Sequence, residues 1–168
     1  GRAYKQGLVV RNVATMVDAP SRAKVDVQPL SQAEVSRFLA SVEGDRLEPL
    51  YVVAVSTGLR QGELLALRWE DVDLTEGTLT VRHTMSRIGA GLGEPKTDAS
   101  KRTVRLPAAA ATLLRRHRAT QKLVKLGDAY VFASKNGTPL MARNVTRDFH
   151  AALARAGVDR RRFHDLRH

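Results

Sequence analysis

Hydrophobic positions recur on one helical face from residue 31 onward, with Val35, Phe38, Leu39 and Val42 separated by polar positions. Ser31 followed by Glu34 forms a capping box ahead of this run, and Gly44 marks its end. Leu47, Leu50, Tyr51, Ala54 and Val55 repeat the pattern, which predicts a second helix closed by Gly58 as its C-cap. Arg60 then stands at the threshold of a third predicted helix, residues 61–68. A helix start presents free backbone N–H groups, so this is a position that favours an anion.

From Thr78 the period changes to two. Leu79 and Val81 share one face of a predicted strand, and a partner strand at residues 101–106 carries Val104 and Leu106. The two are expected to pair as a hairpin with a long tip at residues 88–100, rich in glycine and alanine, that presents Lys96. Pro107 suits the start of a long helix whose outer face is expected to carry Arg115, Arg116, Arg118, Lys122 and Lys125. A short apolar strand (Tyr130, Val131, Phe132), a Lys-Asn-Gly-Thr-Pro turn and a helix at residues 144–156 capped by Gly157 follow. Helices, then a small antiparallel hairpin, then helices again predict an α+β domain that is mainly helical. Trp69 is expected in its core.

Residues 1–17 read as the end of a helix with caps at Gly7 and Asn12, and residues 18–29 as a polar, proline-bounded linker. A chain that opens this way is expected to follow a preceding domain. Residues 1–28 are therefore set apart from a main domain at residues 29–168, a length that supports one real core and not two.

Charge narrows the class of partner. Lysine and arginine number 28 against 17 acidic residues, a net +11, and such a surface gains affinity for polyanions by releasing their counterions. Nucleic acid is the expected partner, with a charge that only aids solubility, or association with the ribosome, as the other readings of this surplus. The chain has no cysteine, which excludes disulfides and thiolate metal sites, and its five histidines lack zinc-ligand spacing; no metal and no cofactor are expected. No apolar run approaches the roughly 18 residues of a membrane span, and the first residues do not resemble a signal peptide. A cytoplasmic protein is the expectation.

Three short segments carry the chemistry. They are Thr57-Gly58-Leu59-Arg60-Gln61-Gly62-Glu63-Leu64, then Glu94-Pro95-Lys96-Thr97, then His164-Asp165-Leu166-Arg167-His168. Each alone is ordinary: an arginine past a capping glycine is usually a surface residue, and a lysine at a hairpin tip is usually solvated. In this order, with Leu-Arg-Trp-Glu-Asp-Val at residues 67–72, they resemble the phage-integrase or tyrosine-recombinase family of site-specific DNA recombinases.

That resemblance covers about residues 29–168 and implies an integrase-type catalytic domain, with residues 1–28 as the last core-binding helix and interdomain linker. It implies DNA recombination and integration by strand cleavage and rejoining through a 3′-phosphotyrosyl intermediate. It places Arg60, Lys96, His164 and Arg167 at catalytic positions, with Glu63 as a supporting carboxylate. Two arginines bind non-bridging phosphate oxygens as charge grows on them; His164 shares a proton with the attacking hydroxyl; Lys96 protonates the leaving 5′ oxygen. The family's tyrosine lies beyond the His-x-x-Arg box, so this stretch alone is expected to bind DNA without cutting it and to be monomeric, whereas the full-length protein acts as a tetramer on paired sites.

Tyr4, Tyr51 and Tyr130 are read as packing residues, and His83, His117 and His150 as core or surface histidines. Lys101, Arg102, Arg143, Arg147, Arg160, Arg161 and Arg162 are candidates for DNA backbone contact. Two other readings stay open: a non-catalytic DNA-binding relic or regulator, and a nuclease using His164 and His168.

Overall fold

The computed structural model of the chain describes residues 2–11, 28–85, 92–93, 101–123 and 130–167. Ser31 caps the helix α2 (Gln32–Ser41) as the sequence predicts, its Oγ accepting the Glu34 N–H while the Glu34 carboxylate accepts the Ser31 N–H at 2.8 Å. Ahead of it lies α1 (Arg2–Lys5), a single turn followed by Gly7 at φ 70°. The cap expected at Asn12 and the linker at residues 18–27 lie outside the described residues. Tyr4 corrects one expectation: it is 53% exposed and is no part of the buried core.

The helix α3 (Glu48–Thr57) is the spine of the core, burying Leu50, Tyr51, Val53 and Ala54. Its exit at Gly58 takes φ 61°, the left-handed conformation that glycine adopts without strain. The long helix α5 (Ala108–Leu123) packs on α3, α2 packs on α6 (Ala142–Arg155), and the 3-10 helix Phe163–Arg167 closes over α3. Four rings join α2, α3, α6 and the 3-10 helix: Phe149 of α6 lies 5.4 Å from Phe38, 6.1 Å from Tyr51 and 5.3 Å from Phe163 between centroids.

The predicted strand pair is present and is part of a larger sheet. β1 (Val72–Asp73), β2 (Thr78–Val81) and β5 (Arg102–Arg105) form an antiparallel sheet in the order β1-β2-β5, with Leu79 opposite Val104. β3 (Thr84–Met85) and β4 (Leu92–Gly93) form a second short ladder between β2 and β5 in the chain. Most of the expected hairpin tip, Lys96 included, lies outside the described residues.

Three boundaries differ from expectation. The third helix, α4 (Gln61–Ala66), stops two residues early because Arg68 leaves the helix to bridge Tyr130. Residues 130–133 make isolated bridges instead of a strand, with the Val131 N–H donating to the Leu67 carbonyl at 2.9 Å. The last long helix begins at Ala142, two residues before the predicted start.

Trp69 is buried as expected, and its indole N–H donates to Gln121 Oε1 at 2.7 Å while Gln121 Nε2 donates to the Val131 carbonyl at 2.9 Å. This chain of bonds satisfies a polar group inside the core and fastens residues 130–133 to α5. Arg118, expected on the outer face of α5, instead lies over the Trp69 ring, its guanidinium carbon 5.1 Å from the centroid. Arg115 and Arg116 are exposed as expected, and Arg115 also donates to the Leu74 carbonyl. Lys125 lies outside the described residues.

Candidate active site

Local backbone rules set where the candidate residues stand. Because Gly58 ends α3 and α4 begins at Gln61, Arg60 is the N-cap of α4, with extended backbone at φ −67° and ψ 149°. Its side chain is 55% exposed, so the guanidinium leaves the core beside the free N–H groups of a helix start. Glu63, one turn on, is only 4% exposed. Its carboxylate accepts the Arg60 backbone N–H at 2.8 Å and the Arg60 Nη1 at 3.0 Å.

A second arginine reaches the same carboxylate. Arg102, the first residue of β5, donates Nη1 to Glu63 Oε1 at 3.0 Å and Nη2 to Oε2 at 2.8 Å, a parallel two-bond pair. Burial pushes the Glu63 carboxyl up, but the bonds from Arg102 and the Arg60 N–H outweigh it and hold the group below its ordinary range. Glu63 therefore stays ionised at neutral pH. This stabilisation is fully present above the ordinary carboxylate range and is lost as pH falls below that range and through the lowered value of the folded state.

The segment at residues 162–167 is built by the same device. The Asp165 carboxylate, buried at the start of the 3-10 helix, accepts the Arg162 N–H at 2.8 Å and is gripped by Arg162 Nη2 at 2.8 Å and Nε at 3.1 Å. Those bonds hold Asp165 below its ordinary range despite burial. Pinning Asp165 and burying Phe163 and Leu166 leaves the intervening His164 and the following Arg167 on the exposed side of the helix. A third example holds at Arg68, whose N–H donates to the buried Asp71 at 3.3 Å.

The two segments meet at Gly58. A Cβ built there would lie 3.3 Å from Arg167 Cγ, so the Arg167 side chain passes across the glycine two residues before Arg60. Gly58→Ala is expected to destabilise the chain by about 1–2 kcal/mol, because alanine is strained at positive φ and its methyl presses on Arg167. Urea unfolding measures it; an unchanged midpoint would show that the turn adapts. Gly62, in the first turn of α4, approaches β3 still more closely: a Cβ there would stand 2.7 Å from Thr84 Oγ1 and 3.0 Å from the Met85 carbonyl. The glycine at this position lets α4 lie directly on the strand that leads into the hairpin.

Arg60, Glu63 and Arg167 are thus brought into one neighbourhood, with His164 on the same short helix as Arg167. Lys96 lies outside the described residues, as does His168. The arginines proposed for DNA backbone contact divide by their partners. Arg102 and Arg162 face Glu63 and Asp165, and Arg161 is largely covered and lies 3.9 Å from Glu34. Arg143, Arg147 and Arg160 instead line an open groove of about 560 Å³ along one side of α6, together with Thr146 and His150. Arg147 touches Asp148 at 3.1 Å yet remains 74% exposed. Lys101 is exposed at the start of the return strand. His150, which the sequence places only as a core or surface histidine, belongs to this groove; its spacing from Arg143 and Arg147, seven and three residues, is the helical signal that puts it on their face.

Residues 28–168 match the phage integrase family. The chain belongs to that family. Among its relatives, a XerC-like tyrosine recombinase from Caldanaerobacter subterraneus subsp. tengcongensis is 31% identical over 194 aligned residues, covering 99% of this chain and 49% of the relative. The prophage integrase IntR of Escherichia coli K12 is 32% identical over 187 residues, covering 99% and 45%. The chain thus spans about half the length of the curated relatives it matches. Among solved structures, XerA recombinase superposes with a TM-score of 0.71 at 24% identity, over 98% of this chain and 54% of that one. A Tn1549 transposon integrase in complex with a circular intermediate DNA superposes at 0.73 with 20% identity, over 99% and 59%. The mainly helical integrase fold with its small antiparallel sheet is therefore the fold of this chain. No helix among the described residues is long and apolar enough to cross a membrane.

Proposed function

We propose that residues 29–168 form the catalytic domain of a DNA integrase that breaks and rejoins duplex DNA at a recombination site. The observation that carries this reading is the contact at Gly58, which puts the Arg167 side chain beside the turn leading to Arg60. Two arginines that converge from separate segments, Arg60 beside the buried Glu63 and Arg167 on a short helix pinned through Asp165, suit a tetrahedral phosphate whose non-bridging oxygens gain charge in the transition state. Guanidinium forks match such oxygens in geometry and keep their charge at any working pH.

In this reading Arg60 and Arg167 bind the scissile phosphate, and His164 shares the proton of the attacking hydroxyl. That hydroxyl belongs to a tyrosine on the C-terminal side of Arg167 in the whole protein, which forms the 3′-phosphotyrosyl link and conserves the bond energy for rejoining. Lys96 donates a proton to the departing 5′ oxygen. Glu63 orients Arg60 and touches no substrate. Arg143, Arg147 and Arg160 grip the DNA backbone along α6, with Lys101 as a further contact near the hairpin. The whole protein acts in the cytoplasm as a tetramer on paired sites; residues 1–28 belong to the last core-binding helix and the interdomain linker.

The 168-residue chain itself tests the electrostatic part. It is expected to bind duplex DNA with little sequence preference, and, for around five neutralised phosphates, with log K falling against log salt at a slope of about −4 to −5. Fluorescence anisotropy across a salt series measures the slope. A flat dependence would remove DNA as the partner of this charge.

A further inference from the structure

Glu63 is shared between two arginines in unequal ways, and a second pair in the same chain shows what one arginine does alone. Arg162 turns its fork onto the Asp165 carboxylate, through Nη2 at 2.8 Å and Nε at 3.1 and 3.2 Å. Arg60 has the same three-residue spacing to Glu63, yet gives it a single guanidinium bond, from Nη1 at 3.0 Å. The difference is Arg102, which holds both Glu63 oxygens at 3.0 and 2.8 Å and is less exposed than Arg60, at 31% against 55%. One buried carboxylate facing one arginine sums to zero; with Arg102 the cluster keeps one positive charge, and the more exposed guanidinium is the one left with donors to spare.

We propose that Arg102 is a positioning residue for the Arg60 site, taking up the charge of Glu63 so that Arg60 meets a DNA phosphate uncompensated and with most of its fork free. This rests on the reading of Arg60 as a phosphate ligand. It replaces the direct DNA contact expected of Arg102 from sequence. Without Arg102, Glu63 captures Arg60 as Asp165 captures Arg162, and the phosphate must compete with a buried carboxylate for the same donors. Arg102 also opens the return strand of the hairpin, so the same ion pair fastens the strand that follows Lys96 to the helix that Arg60 caps.

The test measures duplex-DNA affinity of the whole chain across a salt series from about 50 to 200 mM for the wild type, Arg60→Ala, Arg102→Gln, Arg102→Lys and the Glu63→Gln/Arg102→Gln double variant, with thermal melts for each. Losing one phosphate contact lowers the magnitude of the slope by about 0.9, so that the affinity lost across this range becomes about 3.5-fold smaller. Arg60→Ala and Arg102→Gln are both expected to show that loss. Arg102→Lys, which still neutralises Glu63, is expected to keep the wild-type slope. The double variant is expected to regain it, since the neutral amide that replaces the Glu63 carboxylate still accepts the Arg60 N–H and no longer competes for the guanidinium charge.

A double variant that behaves like Arg102→Gln would overturn the proposal, because Arg102 would then touch phosphate itself or act only as a brace. An Arg102→Gln slope equal to wild type overturns it as well. If Arg60→Ala leaves the slope unchanged while the chain still binds, Arg60 is no phosphate ligand and the inference fails with that part of the proposed function. Should Arg102→Gln not fold, Arg102→Lys and the double variant still decide, since both must hold the wild-type slope.

Discussion

In a full-length protein carrying this domain, replacing Arg60 or Arg167 by alanine is expected to slow strand cleavage by roughly 10²- to 10³-fold each, the usual worth of one donor to transition-state charge. Lys96→Ala is expected to cost about 10²- to 10⁴-fold on normal DNA, the range for a lost general acid. A substrate with sulfur at the bridging 5′ position separates the two roles. A thiol, with a pKa of about 8.5, is far more acidic than an alcohol, so the sulfur departs without a proton donor. Lys96→Ala is then expected to cut the sulfur substrate nearly as fast as wild type, whereas the arginine variants stay slow because charge on the non-bridging oxygens is still unbalanced. Single-turnover accumulation of the covalent protein–DNA adduct on a nicked substrate gives the rates. Equal rescue of the arginine variants, or none for Lys96→Ala, would remove Lys96 from the role of acid.

The second large effect is on stability. Phe149→Ala is expected to cost about 3–5 kcal/mol, because it empties the point where three other rings from α2, α3 and the 3-10 helix converge and the backbone around it cannot collapse to fill the space. For a domain of this size that corresponds to a fall in Tm of roughly 6–20 °C. Calorimetry and urea unfolding measure it, and a loss below about 1 kcal/mol would show that the ring cluster is not the centre of the core. Phe163, one of those rings, immediately precedes His164, so the same variant is also expected to loosen the short helix that carries His164 and Arg167.

Elements with strong local signals are legible in the chain. Ser31 with Glu34 announces α2, Gly58 announces the end of α3, and the alternation of Leu79 and Val81 announces β2. What escapes depends on partners distant in sequence. Val72 and Asp73 form a strand because β2 lies alongside, and residues 130–133 take their shape from bonds to Leu67, His117 and Gln121; neither segment has a period of its own. The site shows the same division. Arg60, Glu63, His164 and Arg167 stand in compact motifs, whereas the partnership of Arg102 with Glu63 spans 39 positions and leaves no local trace. Arg118 departs from expectation for a related reason: helical spacing puts it on an outer face, but the Trp69 ring approaches from another element and covers it.

The ladder between β3 and β4 has a consequence for Lys96 that depends on chain length alone. Lys96 follows Gly93, the last residue of β4, by three positions, so its Cα stays within about 11 Å of that anchor however the intervening chain bends. Adding the side chain confines the ammonium group to a sphere on the order of 17 Å in radius, which is an effective concentration of roughly 0.1 M around the end of the ladder. Proximity alone then counts as a proton donor at that concentration, before any contribution from orientation. Whatever rate Lys96 contributes beyond that of about 0.1 M amine measures the gain from orientation over proximity.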